Sequence, residues 1–216
     1  MLHFLTSVLG KIVGAVIPTS IKYAVKRWFR PSIEFRKAPK NFFDHIVPSA
    51  SREHVKEILG PPHRESSGRW SYRFLDAIIQ IEFWDEGSAK SVAMALTLYS
   101  PKSGFKIPMM GLSLGQMYLI DAMEDDGKLH YRPSRQSEDL AWVSRIGPPG
   151  ALHYYTFGAM WPIAGGYLAG TSFKWDAVHG RLITNPKDIR INWVAISDSM
   201  EDVWFDWSLG IPAILL

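Results

Sequence analysis

The chain has 216 residues, 47% of them hydrophobic and 21% charged, a formal charge of +3 and no cysteine. That length allows one large domain or two small ones with a real core. The missing thiols exclude disulfides, thiolate zinc sites, cysteine nucleophiles and attachment through an N-terminal lipoprotein cysteine. The net charge hides a division: residues 1–40 carry eight Lys/Arg and one acid, whereas residues 41–216 carry sixteen Lys/Arg and twenty acids. An arm of +7 joined to a body of −4 directs the arm alone toward an anionic surface.

The arm opens "MLHFLTSVLGKIVGAVIPTSIKYAVKRWFR". No positive charge precedes its apolar run and Lys11 interrupts it, so it makes a poor secretory signal. Leu2 to Ile21 has roughly the length of a bilayer core. Lys11 at the centre of such a span costs about 3 kcal/mol, while each large aliphatic returns only ~0.5. As an interfacial helix it reads better. Ser7, Lys11, Pro18, Lys22 and Lys26 line one stripe, with Leu5, Leu9, Ile12, Val13, Val16 and Ile17 on the rest. Pro18 divides or kinks the segment, and Trp28 and Phe29 close it beside the arginines. Lys11, Lys22, Lys26, Arg27, Trp28 and Arg30 are therefore the candidate membrane- and anion-binding residues. A spanning helix, with the body on the cytoplasmic side, and a helix packed on protein remain the alternatives. Nucleic acid is not an expected partner, because the basic residues alternate with large aliphatics and no nucleic-acid motif accompanies them.

After a Pro-punctuated connection, Ser49 or Ser51 can cap a helix with Val55, Ile58 and Leu59 on its apolar side. Gly60 and the prolines Pro61 and Pro62 end it. Trp70, Tyr72 and Phe74 alternate with polar residues, "AIIQIEFW" follows, and "DEGS" turns into "VAMALTLY". A helix and a three-stranded antiparallel meander are predicted. Farther on, "LSLGQMYLIDAM" and "SEDLAWVSRI" read as helices, the second stopped by Gly147-Pro148-Pro149. "ALHYYTF", "TSFKWDAV" and "IRINWVAIS" are predicted strands of one sheet, with "VWFDW" as a possible edge. The expected fold is α+β: an arm over 1–40, a first helix-meander unit over 41–104 and a longer second one over 105–216. The Gly-Pro-Pro of each unit would mark the same helix-to-sheet junction, and the chain would be a tandem repeat.

The stretch "SREHVKEILGPPHRESSGRWSYRF" resembles the bacterial BamE/SmpA-type small lipoprotein domain, whose wider fold group includes β-lactamase inhibitor protein. The resemblance covers about residues 51–98 and implies a non-catalytic domain that binds protein partners. The lipid-bearing cysteine of that family is absent here.

Candidate chemistry is thin. "GLSLG" (Gly111 to Gly115) fits the G-x-S-x-G nucleophile elbow, with Ser113 as nucleophile and Asp176 and His179 following in the order of a triad. Its alternative is a helix-capping serine between two turn glycines. Asp198, Glu201, Asp202 and Asp206 could hold a divalent cation but more often favour a helix N-terminus or a solvated edge. The seven histidines lack zinc spacing, and no phosphate or dinucleotide loop is present, so no metal or cofactor is expected. The function expected from the sequence is a membrane-associated, non-catalytic protein-interaction module. Trp70, Tyr72, Tyr154, Tyr155 and Trp175 would be its protein-binding anchors, and a serine hydrolase is the alternative.

Overall fold

The computed structural model describes residues 36–97, 104–123, 126–135, 137–149, 152–162, 168–199 and 204–205. Two short helices come first, α1 (Phe42–His45) and α2 (Arg52–Leu59). The ends of α2 follow from its sequence. The Ser51 hydroxyl accepts from the His54 N–H at 3.2 Å, and Gly60 ends the helix at φ +80°. Val55 and Leu59 face the core.

Four strands follow: β1 (Arg64–Ser66), β2 (Arg69–Arg73), β3 (Ala77–Phe83) and β4 (Ala89–Leu96). Ser67 and Gly68, both at positive φ, make the two-residue turn between β1 and β2. The meander therefore has one strand more than predicted. Next come a small ribbon of β5 (Phe105–Lys106) with β6 (Ser113–Leu114) and a one-turn helix α3 (Leu119–Ala122). A second meander consists of β7 (Gly127–Pro133), β8 (Ser137–Ile146) and β9 (His153–Pro162). A second ribbon pairs β10 (Trp175–Asp176) with β11 (Arg181–Leu182), and β12 (Trp193–Ser197) is the last described strand.

All the long strands join one antiparallel sheet in the order β1-β2-β3-β4-β12-β9-β8-β7. The last strand enters between the two meanders, with Val194 opposite Met94 on one side and Phe157 on the other. This overturns the expected α+β chain of helix-plus-sheet units. The protein is mainly β, and three short α-helices are all that the described residues contain. Residues 137–146, expected as a helix, are the ten-residue strand β8, so the Gly-Pro-Pro at 147–149 follows a strand where that at 60–62 follows a helix. The "TSFKWDAV" stretch supplies a ribbon outside the main sheet, and "VWFDW" lies largely outside the described residues.

Both faces of the sheet are covered. One carries Tyr72, Ile81, Met94, Val194, Phe157 and Leu140, packed under Phe42, Val55, Leu59 and the segment around Leu114, Leu119 and Ile191. Burying each such large side chain contributes about 2 kcal/mol. The other face carries Ile78, Ala93, Ala95, Ala141, Ala195, Met160 and Trp193, with Leu168 and Phe205 over them. There Gly158 lies across from Trp193, whose ring occupies the space a Cβ at 158 would need, 1.8 Å from its nearest atom.

Buried polar groups hold this second face in place. The Trp193 indole N–H donates to Asp139 Oδ1 at 3.0 Å, and the Arg132 guanidinium lies 3.6 Å from Asp139 Oδ2. Asn192, fully buried, accepts from the Met160 N–H and donates to the carbonyls of Met160 and Ala169, all within 3.0 Å. A buried amide so satisfied fixes the point where the chain enters β12.

Candidate functional site

The three residues of the hydrolase reading do not converge. Ser113 sits in β6, paired through Lys106 in an antiparallel ribbon, and its φ is not in the positive region where a nucleophile elbow holds its serine. Asp176 and His179 do meet, with His179 Nδ1 2.6 Å from Asp176 Oδ2. They form a local turn in which the same carboxylate accepts from the backbone N–H groups of Val178 and His179. The His179 imidazole, then its backbone N–H, holds the Asp176 carboxyl below its ordinary range, with smaller contributions from the Val178 N–H and Arg181. No hydrogen bond joins Ser113 to His179, so the turn is a loop staple and the predicted elbow is a β-ribbon.

A second serine, aspartate and histidine meet where the sequence offered no signal. Ser49 Oγ donates to Asp198 Oδ2 at 3.2 Å, and His153 Nδ1 lies 2.5 Å from Asp198 Oδ1. Here the carboxylate is in the middle, with no serine-to-imidazole bond, so the arrangement cannot pass a proton from hydroxyl to imidazole as a triad does. It ties the turn before α2, with Ser49 at φ +73°, to the start of β9 and the end of β12. Of the proposed acidic cation site, only Asp198 is described. Among the described residues no group of three or more His, Asp or Glu is placed to hold a metal.

The aromatic anchors divide. Trp70, Tyr72 and Tyr155 are 2%, 1% and 2% exposed and belong to the core, which removes them as contact residues. Burial, with Glu65 adding to it, pushes the Tyr72 phenol far above its usual range, and burial raises Tyr155 as well. Their alternation marked a strand correctly, but the other side of that strand carries the half-buried Arg69 and Ser71 and the buried Arg73. Tyr154 and Trp175 keep partial exposure. Arg145 lies over the Tyr154 ring, and Trp175 stacks on Tyr131 at 4.6 Å between centroids.

The exposed apolar surface lies elsewhere. Among the described residues eight large hydrophobic side chains are exposed, and five of them, Met109, Leu112, Ile120, Val178 and Ile183, come from two segments, 104–123 and 172–191. These segments are stitched together. The Leu119 N–H donates to the Ile189 carbonyl and the Ile191 N–H to the Met117 carbonyl, and Tyr118 bridges Arg190. Both cover the same face of the sheet, through Phe105, Leu114, Met117 and Leu119 from one and Phe173, Ile189 and Ile191 from the other.

The β5–β6 turn, "IPMMGL", is unusual in its backbone. Met109 adopts φ +66°, which costs an L-residue about 1 kcal/mol, and Gly111 follows at φ +64°. Met110 packs on the core while Met109 stands 67% exposed. The turn's signal in the sequence is two methionines between Pro108 and Gly111, where a turn is expected and apolar residues are not.

Lys11, Lys22, Lys26, Arg27, Trp28 and Arg30 lie outside the described residues. Among the described residues no helix is long and apolar enough to cross a membrane. No family model, curated protein or solved structure matches the chain, so the BamE-type resemblance rests on its short sequence motif alone.

Proposed function

We propose that this chain is a protein-interaction module held at an anionic membrane surface by residues 1–40. The observation that carries the reading is the charge division of the sequence, +7 in the first forty residues against −4 in the rest, with the basic residues set among large aliphatics and beside Trp28 and Phe29. Each Lys or Arg near an anionic leaflet contributes about 1 kcal/mol of attraction, and amphipathic rings favour the headgroup layer. The arm thus supplies both parts of a peripheral anchor, whereas residues 41–216 carry a net charge of −4. On the protein side, Tyr154 and Trp175 are the two candidate anchors that keep accessible surface.

The hydrolase reading has less support, because Ser113 and the Asp176–His179 pair belong to different ribbons. A fluorophosphonate probe that labels the wild type and not Ser113→Ala would restore it.

Vesicle co-sedimentation of the full chain tests the proposal. Pelleting with phosphatidylserine-containing vesicles is expected, with little on pure phosphatidylcholine and a marked loss in high salt. Lys22→Glu/Lys26→Glu/Arg27→Glu should reduce binding by about a hundredfold. A wild-type chain that stays in the supernatant at low salt with anionic vesicles would overturn the reading.

A further inference from the structure

We propose that the turn at 107–112 and the turn joining β10 to β11 form a second lipid-contacting surface, one that dips apolar side chains into the interface of an anionic bilayer. This rests on the membrane-surface reading above but uses residues of the folded body.

Three observations point the same way. The first is concentration: most of the exposed large apolar side chains of the described residues fall in the two stitched segments, and their most exposed members, Val178 at 87% and Met109 at 67%, stand in the two turns. Scattered exposed hydrophobics need no explanation, but a collection on one layer does. The second is the backbone. The turn holds Met109 in a conformation that L side chains rarely adopt, with its neighbour Met110 partly buried against the core and Met109 itself 67% exposed. A strained position whose large side chain stays mostly in solvent is a reason to look for a use.

The third is charge. Segments 104–123 and 172–191 hold five Lys/Arg and three acids, a net of +2 within a body that is −4 over residues 41–216. Two of the three acids are engaged internally. Asp121 accepts from the Tyr118 N–H, and Asp176 is held by His179 and Arg181. Lys106, Lys174 and Lys187 are exposed. Apolar turns framed by lysines match a bilayer interface, where the stems of the lysines cross the headgroups and the turns reach the acyl boundary. The same layer offers a poor surface to a neutral membrane, because its lysines would then find no counter-charge.

The absence of cysteine makes the test direct. Met109→Cys and Val178→Cys each take one environment-sensitive NBD fluorophore in the full chain. Asp85→Cys, on the exposed turn between β3 and β4, is the control. With phosphatidylserine-containing vesicles, NBD at 109 and 178 should shift to the blue and brighten about threefold, while NBD at 85 stays at its aqueous emission. Without a label, Met109→Ser/Leu112→Ser should weaken vesicle binding about tenfold with an unchanged circular dichroism spectrum.

If the chain pellets with vesicles and both turn probes remain aqueous, the second contact is overturned and the arm reading stands. Blue-shifted turn probes in the Lys22→Glu/Lys26→Glu/Arg27→Glu chain would support the second contact even if the arm proved dispensable. A chain that does not pellet at all overturns both.

Discussion

The two faces of the central sheet are built on different principles. One face is filled by volume: Tyr72, Ile81, Met94, Phe157 and Leu140 meet helices and loops that bring their own large side chains. The other is filled by close approach, with alanines at 93, 95, 141 and 195, a glycine at 158 and one tryptophan laid across them. The first tolerates exchange among hydrophobic residues of similar size, because total volume is what it conserves. On the second, a tryptophan held by a buried carboxylate leaves no room for an added methyl and no freedom for the ring to move aside.

Gly158→Ala is the hardest blow to that second face. The new Cβ would meet the Trp193 ring, and a loss of about 3 kcal/mol or more is expected in urea unfolding. An unchanged midpoint would mean that the ring yields and the two faces do not differ. Asn192→Asp comes next, at about 3 kcal/mol near neutral pH. The substituted carboxylate would face the carbonyls of Met160 and Ala169 with nothing to donate. Its folded pKa would rise above the unfolded value, so the defect should shrink as pH falls and the protonated group regains a donor. A defect that instead deepens in mild acid would show that the carbonyls are not its neighbours. On the first face Tyr72→Phe should cost only about 1 kcal/mol, the worth of the phenol's bond to the Gly60 carbonyl, and leave the packing intact. A loss as large as that of Gly158→Ala would erase the distinction.

The same contrast explains what could be read from the sequence. The strand at 69–73 was legible because its outward side is polar and its inward side aromatic, and α2 because Ser51 and Gly60 punctuate a regular apolar face. β8 was not. Leu140 belongs to one core and Ala141 to the other, so the period of two is hidden, and Leu140, Val143 and Ile146 then mimic a helix. β12 was recognised as a strand, but its place between the meanders depends on remote partners, Val194 pairing with Met94 on one side and Phe157 on the other, which no local pattern encodes. The site residues fared according to how local their chemistry is. Asp176 and His179 stand three positions apart and their pairing is local, so the pair was visible in the sequence, but its separation from Ser113 was not. The Ser49–Asp198–His153 tie spans three remote segments and was invisible. The turn at 107–112 is written plainly in the sequence, but the exposure of Met109 is a property of the folded surface that no local pattern encodes.

The position of β12 also has a consequence for how the molecule is made. Ser197 donates to the carbonyl of Lys90, a residue 107 positions earlier. Until β12 leaves the ribosome, the first meander presents the long apolar edge of β4 without its β12 partner, and the second meander presents that of β9. Such edges are templates for pairing with another chain. Synthesis of this protein should therefore pass through a stage in which two half-sheets wait for one five-residue strand, and a holding chaperone would be needed most while residues 97–192 are being translated.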